Sequence, residues 1–185
     1  MISAVRRTGA VSLSVFTATG RACMLLMQML YSIPVAIKRY ELLLEQLYRV
    51  GVLTLPIIIV AALFVGMVLA LQGYNTLVDF GAESSLGLLV ALSLARELGP
   101  VLAGLLFAGR AGAALTAERG LMKATEQLAG MEMMAVDPVW RVLLPRFLAG
   151  VLSVPLLAVL FTAVGIFGGY LLGVDVLGVD QGVFW

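Results

Sequence analysis

The sequence has 185 residues, of which 62% are hydrophobic and only 12% are charged, and its mean hydropathy is +1.07. This composition excludes an ordinary soluble domain and predicts a membrane protein. The chain has no histidine and one cysteine, so it can form no internal disulfide and lacks the usual ligands of a protein-bound metal. Metal and redox chemistry are therefore not expected.

The N-terminal region, residues 1–49, is predicted to lie on the cytoplasmic side. Its apolar stretch, residues 8–37, is flanked by two basic pairs, Arg6–Arg7 and Lys38–Arg39, and is interrupted by Arg21. A single crossing would place one basic pair on the wrong side of the membrane. We interpret this region as one or two helices in the cytoplasmic interface, with a true span as the alternative.

Three later runs are long enough to cross a membrane, because about 20 helical residues cover the roughly 30 Å hydrocarbon core. They cover residues 50–78, 84–109 and 147–174. Residues 1–49 hold six basic residues and residues 110–146 hold five, whereas residues 73–83 and 173–185 hold only acidic charges. The positive-inside rule then predicts a multi-pass membrane protein with a cytoplasmic N-terminus and a cytoplasmic loop at residues 110–146. The expected fold class is all-α and polytopic, with a transmembrane domain at residues 50–185.

Small residues recur every four positions in each predicted span, a pattern that lets helix backbones approach closely in lipid. The three stripes are Ala62, Gly66 and Ala70; Gly104, Ala108 and Gly112; and Gly165, Gly169 and Gly173. A chain with 20 glycines produces some stripes by chance. We expect at least one stripe to be a real helix contact.

The second span contains an unusual polar pair, Arg96 and Glu97, followed at once by Gly99 and Pro100. A charge at a helix centre costs about 2.5 to 3.5 kcal/mol on insertion scales, whereas a leucine returns only about 0.3 to 0.6. Twelve residues lie on each side of the pair within the run, so the charges are predicted near mid-membrane. We expect a substrate or gating role; the alternative is a kink with a neighbouring ion pair.

The segment "TAERGLMKATEQLAGMEMMAVDP", within the cytoplasmic loop 110–146, predicts one short amphipathic helix. Leu121, Ala124, Leu128 and Met131 share one predicted face, and its methionines suit adaptable contacts with a partner. Asp137 and Pro138 resemble the start of the next helix. The alternative is a helix that rests on the membrane or on the protein itself.

Sequence motifs for catalysis are missing: the chain has no phosphate-binding loop and no histidine to activate a serine. We therefore predict that it is not an enzyme and that any energy source lies elsewhere. The end of the chain, "GVDQGVFW", has two interpretations: a longer protein continues beyond it, or Phe184 and Trp185 form an interfacial anchor.

Four segments carry a family resemblance: "LYRVGVLTLPIIIVAALFVGMVLALQGY", "ESSLGLLVALSLARELGPVLAGLLFAGRAGAALTAE", "GLMKATEQLAGMEMMAVDP" and "LPRFLAGVLSVPLL". They closely resemble the MlaE permease family, the membrane subunit of an ABC transporter that moves phospholipids between the inner and outer membranes of Gram-negative bacteria. The resemblance implies a location in the bacterial inner membrane, about five spans and a homodimer. Compared with that pattern, this chain would end after the third span. It also implies three protein partners: an MlaF-like ATPase, an MlaB-like STAS-domain protein and a hexameric MlaD-like MCE protein.

The resemblance also implies roles for particular residues. Lipid-binding residues would be Arg96, Glu97, Leu69, Leu77 and Phe80, the last three sharing one helical face if the first span continues that far. ATPase-coupling residues would be Glu118, Lys123, Glu126, Leu128 and Met131. The chain itself would carry no cofactor, with ATP and Mg²⁺ on the ATPase, and would bind no nucleic acid. The alternatives are a proton-coupled secondary transporter that uses Arg96 and Glu97, or a non-transporting scaffold.

Overall fold

The computed structural model describes residues 2–31, 40–134 and 143–184, and these residues form an all-α protein. The helices are α1 (Ile2–Tyr31), α2 (Tyr40–Val50), α3 (Leu55–Val78), α4 (Leu86–Ser93), α5 (Gly99–Phe107), α6 (Ala113–Ala124), α7 (Gln127–Met133), α8 (Leu144–Tyr170) and α9 (Gln181–Phe184). Three π-helical segments, Leu94–Leu98, Ala108–Gly112 and Leu171–Val176, join or extend them. The predicted fold class is confirmed.

Four helical stretches are long and apolar enough to cross a membrane: Leu13–Tyr31, Glu41–Val78, Glu83–Ala124 and Leu144–Val176. The last three contain the three predicted spans. α1 is one continuous helix, and its described side chains are mostly exposed, with Met29 buried. Its length also permits a crossing, so its position in the interface stays a prediction.

α3 and α8 form the closest helix pair, and two of the predicted stripes build it. Ala62 and Ala70 of α3 are fully buried, and a Cβ at Gly66 would overlap the carbonyl of Gly165 on α8. Gly169 lies next to Gly66 at an ordinary contact distance, its Cβ position being 3.4 Å from the Gly66 carbonyl oxygen, and its tightest neighbour is the Val90 side chain at 2.9 Å. The prediction of a small-residue contact is therefore confirmed, because only glycine permits this backbone approach.

The stripe of Gly104, Ala108 and Gly112 behaves differently. A Cβ at either glycine would meet nothing within 4 Å, and Ala108 is exposed. Among the described helices, this stripe makes no close contact. The core lies instead between α3, α4 and α8, where Ile58, Val90, Leu94 and Phe161 are fully buried.

The ends of the bundle carry opposite charges. We call one the arginine end: Arg110 of the second span hydrogen-bonds Thr54 before α3, and Arg146 of α8 contacts α2 and α6. The other, the acidic end, carries exposed acidic side chains. These are Asp79, Glu83, Asp175 and Asp180. Phe184 is buried at the acidic end, where its ring meets Tyr170 edge-on at 5.7 Å, so this residue packs into the bundle and does not support the interpretation as an interfacial anchor. Trp185, the other residue of that interpretation, lies outside the described residues.

The region predicted as a loop with one amphipathic helix is built differently. Helical structure continues from α5 through Ala108–Gly112 into α6 and ends at Ala124. Glu126 has a φ of 55°, a left-handed conformation that an α-helix cannot include, and α7 starts at the next residue. The prediction of one helix was therefore wrong, since two helices meet at a sharp turn. The predicted cap at residues 137–138 lies outside the described residues.

Candidate lipid and coupling sites

Arg96 and Glu97 lie in the π-helical segment Leu94–Leu98. The amide of Gly99 donates its hydrogen bond to the carbonyl of Leu94, five residues earlier, which widens the turn. Pro100 has no amide hydrogen to donate, so an ordinary α-turn is already broken at this point. Isolated π-turns of this kind occur frequently at functional sites. The predicted irregularity is present, as a widened turn within a continuous helix.

Both charged side chains are exposed on the surface of the bundle. Within the described part of the chain, neither Arg96 nor Glu97 makes an ion pair or a side-chain hydrogen bond. Neighbouring Leu92 and Val101 are also exposed, so the pair lies on an uncovered apolar face. The helices described here offer these charges no protein partner, which leaves water, lipid or another chain to stabilise them.

The predicted lipid-lining residues divide into two groups. Leu69 and Leu77 of α3 are half-buried and pack against the core. α3 ends and α4 begins at the acidic end. Leu69 lies nine residues before the end of α3, and Arg96 lies ten residues after the start of α4. At a rise of 1.5 Å per residue, both are about 15 Å from the acidic end. They therefore lie at a similar depth in the bundle.

Phe80 is 80% exposed and lies beyond α3, which ends at Val78. Its amide hydrogen-bonds the carbonyl of Leu77 in a turn. The helix does not continue far enough for Leu69, Leu77 and Phe80 to share a face, so that condition of the prediction is not met. The structure places Phe80 at the acidic end, away from the depth of Arg96.

The predicted coupling residues lie on two helices and the turn between them. Glu118 and Lys123 belong to α6, Glu126 to the turn, and Leu128 and Met131 to α7. Lys123 and Glu126 are exposed, and Met131 is half-buried. The side chain of Leu128 lies outside the described ones. The turn at Glu126 divides the predicted apolar face, because Leu121 and Ala124 belong to α6 whereas Leu128 and Met131 belong to α7.

Arg146 organises the arginine end, a role that the sequence did not reveal. Its side chain is 95% buried, at 5% relative exposure, near the start of α8. Its Nη2 donates to Glu118 of α6, and its Nε donates to Oε1 of Gln46 on α2 at 3.1 Å. One guanidinium thus connects three helices. The sequence showed only another basic residue of a cytoplasmic loop, since burial depends on helices that are distant along the chain.

A second arginine contact lies nearby, in the π-helical segment Ala108–Gly112. Nη1 of Arg110 donates to the hydroxyl oxygen of Thr54 at 2.5 Å. Thr54 is fully buried and donates its own hydroxyl hydrogen to the carbonyl of Val50. This contact joins the second span to the junction of α2 and α3. Among the described residues, no group of three His, Cys, Asp or Glu side chains is arranged to hold a metal ion.

Residues 43–185 match the family described as Permease MlaE. The chain belongs to this family. The MlaE match covers all described helices from α3 onward and leaves α1 outside it. Of the residues predicted from the resemblance, all lie within the matched region.

Proteins similar to this chain come from bacteria and from a plant. The chain is 61% identical over 170 residues to the "Intermembrane phospholipid transport system permease protein MlaE" of Haemophilus influenzae, covering 92% of this chain and 65% of that protein. It is 40% identical to a "Probable ABC transporter permease protein" of Rickettsia bellii, over 78% of this chain and 56% of the relative. It is 34% identical to the chloroplastic protein TRIGALACTOSYLDIACYLGLYCEROL 1 of Arabidopsis thaliana, over 74% of this chain and 39% of that protein. The chain spans less than two thirds of the length of these relatives.

Proposed function

We propose that this chain is part of the permease subunit of an ABC transporter that moves phospholipids between the inner and outer membranes and so maintains outer-membrane asymmetry. The observation that carries the proposal is the uncovered Arg96–Glu97 pair on the apolar second helical stretch, in a chain 61% identical to a protein named for intermembrane phospholipid transport. The protein lies in the inner membrane with its arginine end in the cytoplasm, because basic residues concentrate on that side.

The chemistry of the exposed pair suits a phospholipid. A guanidinium binds phosphate through charge-assisted hydrogen bonds, and Arg96 has no competing carboxylate partner among the described residues. Glu97 then orients the guanidinium or meets a cationic head group. Leu69 at a similar depth and the exposed Leu92 and Val101 supply apolar surface for acyl chains.

The energy for transport comes from a separate ATPase, which carries ATP and Mg²⁺. We infer that α6, the turn at Glu126 and α7 form the docking surface for this MlaF-like subunit. Met133 and Met134 are exposed there, which suits a partner contact, and Glu118 connects α6 to α8 through Arg146. Movement of α6 is thereby coupled to a membrane-spanning helix. The full assembly includes a second permease copy, an MlaB-like STAS protein and a hexameric MlaD-like MCE protein.

Replacing the mid-span charges tests lipid transport. In the full-length complex, Arg96→Leu and Glu97→Leu should assemble normally but fail to restore the outer-membrane barrier in a strain that lacks the permease. The matched control is Leu105→Val, which changes an exposed apolar residue about two turns further along the same helical stretch. Normal complementation by both charge variants would refute the lipid role, and failure of both to assemble would assign the pair to packing. Lipid movement driven by a proton gradient without the ATPase would favour a secondary transporter.

Altering α6 and α7 tests the coupling surface. Lys123→Glu combined with Leu128→Gln should reduce co-purification of the ATPase and lipid-stimulated ATP hydrolysis without reducing membrane insertion. Glu83→Lys is the matched charge reversal, because Glu83 is equally exposed but lies at the acidic end, far from a subunit that docks at the arginine end. Full ATPase recovery with the double variant would show that α6 and α7 are not the docking surface.

A further inference from the structure

The starting observation is a buried polar atom without a partner. Arg146 uses its Nη2 and Nε atoms on Glu118 and Gln46, but its buried Nη1 has no hydrogen-bond partner among the described residues. A buried donor of a charged group that lacks a partner is destabilising, and a native structure rarely retains one without a reason. Glu118 is the carboxylate that contacts Arg146, and its single negative charge balances one guanidinium. Arg119 lines the same cavity as Arg146, so the local net charge is positive.

Arg146 lies between two cavities at the arginine end, and the first of them is largely apolar. This cavity has a volume of about 530 Å³ and lies between α1, α6 and α8. Its apolar wall includes Phe107, Leu115, Val151 and Val154, and its polar groups belong to Arg119 and Arg146. The second cavity, of about 540 Å³, is lined by Arg146 with two glutamines, Gln46 and Gln127, and its described lining residues include no second cation.

An apolar wall beside two guanidinium groups matches one kind of ligand. An acyl chain fills the apolar part, and a phosphate accepts hydrogen bonds from Arg119 and from the free Nη1 of Arg146. A free inorganic anion would leave the apolar wall unused. A neutral lipid would leave the guanidinium donors unpaired.

We propose that this cavity binds an anionic phospholipid, with its phosphate on Arg146 and Arg119 and one acyl chain against α8. This site is separate from the mid-span pair, because Arg96 and Arg119 are 23 residues apart on one helical stretch, about 34 Å along its axis. The inference goes beyond the proposed transport function: a lipid at the arginine end would fill the joint between α1, α6 and α8.

The test uses the full-length permease in lipid nanodiscs and a phosphatidylglycerol that carries a photoreactive diazirine on its acyl chain. Cross-linked peptides are mapped by mass spectrometry. We expect labelling of Val151 and Val154 that unlabelled phosphatidylglycerol competes away. Labelling at Val159, which is exposed on α8 outside the cavity, reports ordinary surrounding lipid and serves as the internal reference.

Two variants change the cavity without touching the Arg146 contacts. Arg119→Gln removes an exposed guanidinium and should lower the competable labelling about three- to tenfold, as expected for the loss of one hydrogen bond at an exposed group. Gly150→Leu should block the acyl chain; a Cβ there is an ordinary 3.6 Å from the Phe107 ring, so the residue fits and its remaining atoms take up cavity space. The matched control is Arg49→Gln, because Arg49 is already paired with Glu45 and does not line the cavity.

Each result has one meaning. Reduced labelling in both variants, with the reference site and Arg49→Gln unchanged, supports the proposal. Unchanged labelling in both variants overturns it. Equal labelling by a diazirine diacylglycerol shows an apolar groove without phosphate recognition, and binding of radiolabelled inorganic phosphate without any competable lipid labelling shows a free-anion site; both overturn it. Arg96→Leu should leave this labelling intact, so a failure of the transport proposal is separately visible.

Discussion

The contact between α3 and α8 should fail when one methyl group is added at Gly66. A Cβ there would be 2.7 Å from the carbonyl carbon of Gly165 and 2.9 Å from its Cα. Non-bonded carbon atoms prefer about 3.5 to 4.0 Å, and the carbonyl oxygen of Gly165 is closer to this Cβ position than either carbon, so the two backbones have to separate by more than about 1 Å. Both atoms belong to the backbone, and no side-chain rotation relieves the overlap.

The expected cost of Gly66→Ala follows from two opposing effects. Overpacking costs about 1 to 3 kcal/mol, and alanine recovers up to about 1 kcal/mol of helix propensity. We expect net destabilisation, because membrane helices associate mainly through such packing. The matched control is Gly104→Ala, which gains the same propensity at a position with nothing within 4 Å.

The assay is thermal unfolding of the two full-length variants in the same detergent, followed by loss of helical circular dichroism or by aggregation. Gly66→Ala should unfold at a lower temperature than the wild type, and Gly104→Ala should equal or exceed it. Equal stabilities of the two variants would refute the close approach of α3 and α8 at this point.

Two further predictions concern the arginine end. Arg146→Met should destabilise the protein by about 1 to 3 kcal/mol, because it removes a buried group that joins three helices; Arg49→Gln, which opens an exposed pair, should cost about 0 to 1 kcal/mol. Similar melting temperatures for these two variants would contradict the role of Arg146 in connecting α2, α6 and α8. In a protein lacking Cys23, a cysteine at Asn75 should react with a membrane-impermeant maleimide in intact spheroplasts, whereas one at Thr125 should react only after lysis. The reverse pattern would invert the orientation.

The sequence alone determined the regular features of this protein. Long apolar runs predicted three helices of spanning length, because the hydrocarbon core requires about 20 apolar residues in a helix whatever surrounds it. Two of the small-residue stripes also identified a real contact between α3 and α8. The irregularity at Arg96 was visible as well, since Pro100 removes a backbone donor wherever it occurs.

Tertiary structure decided the features that depend on which residues meet across space. The stripe at Gly104 has the same spacing as the stripe at Gly66, yet it meets nothing, because only the fold selects which helix faces pack. Spacing also failed to show the turn at Glu126, where a left-handed residue ends α6. Arg146 appeared as one charge among several in a polar loop. Its burial arises because residues 28 and 100 positions away, Glu118 and Gln46, converge on it, and a local pattern carries no information about partners at that separation.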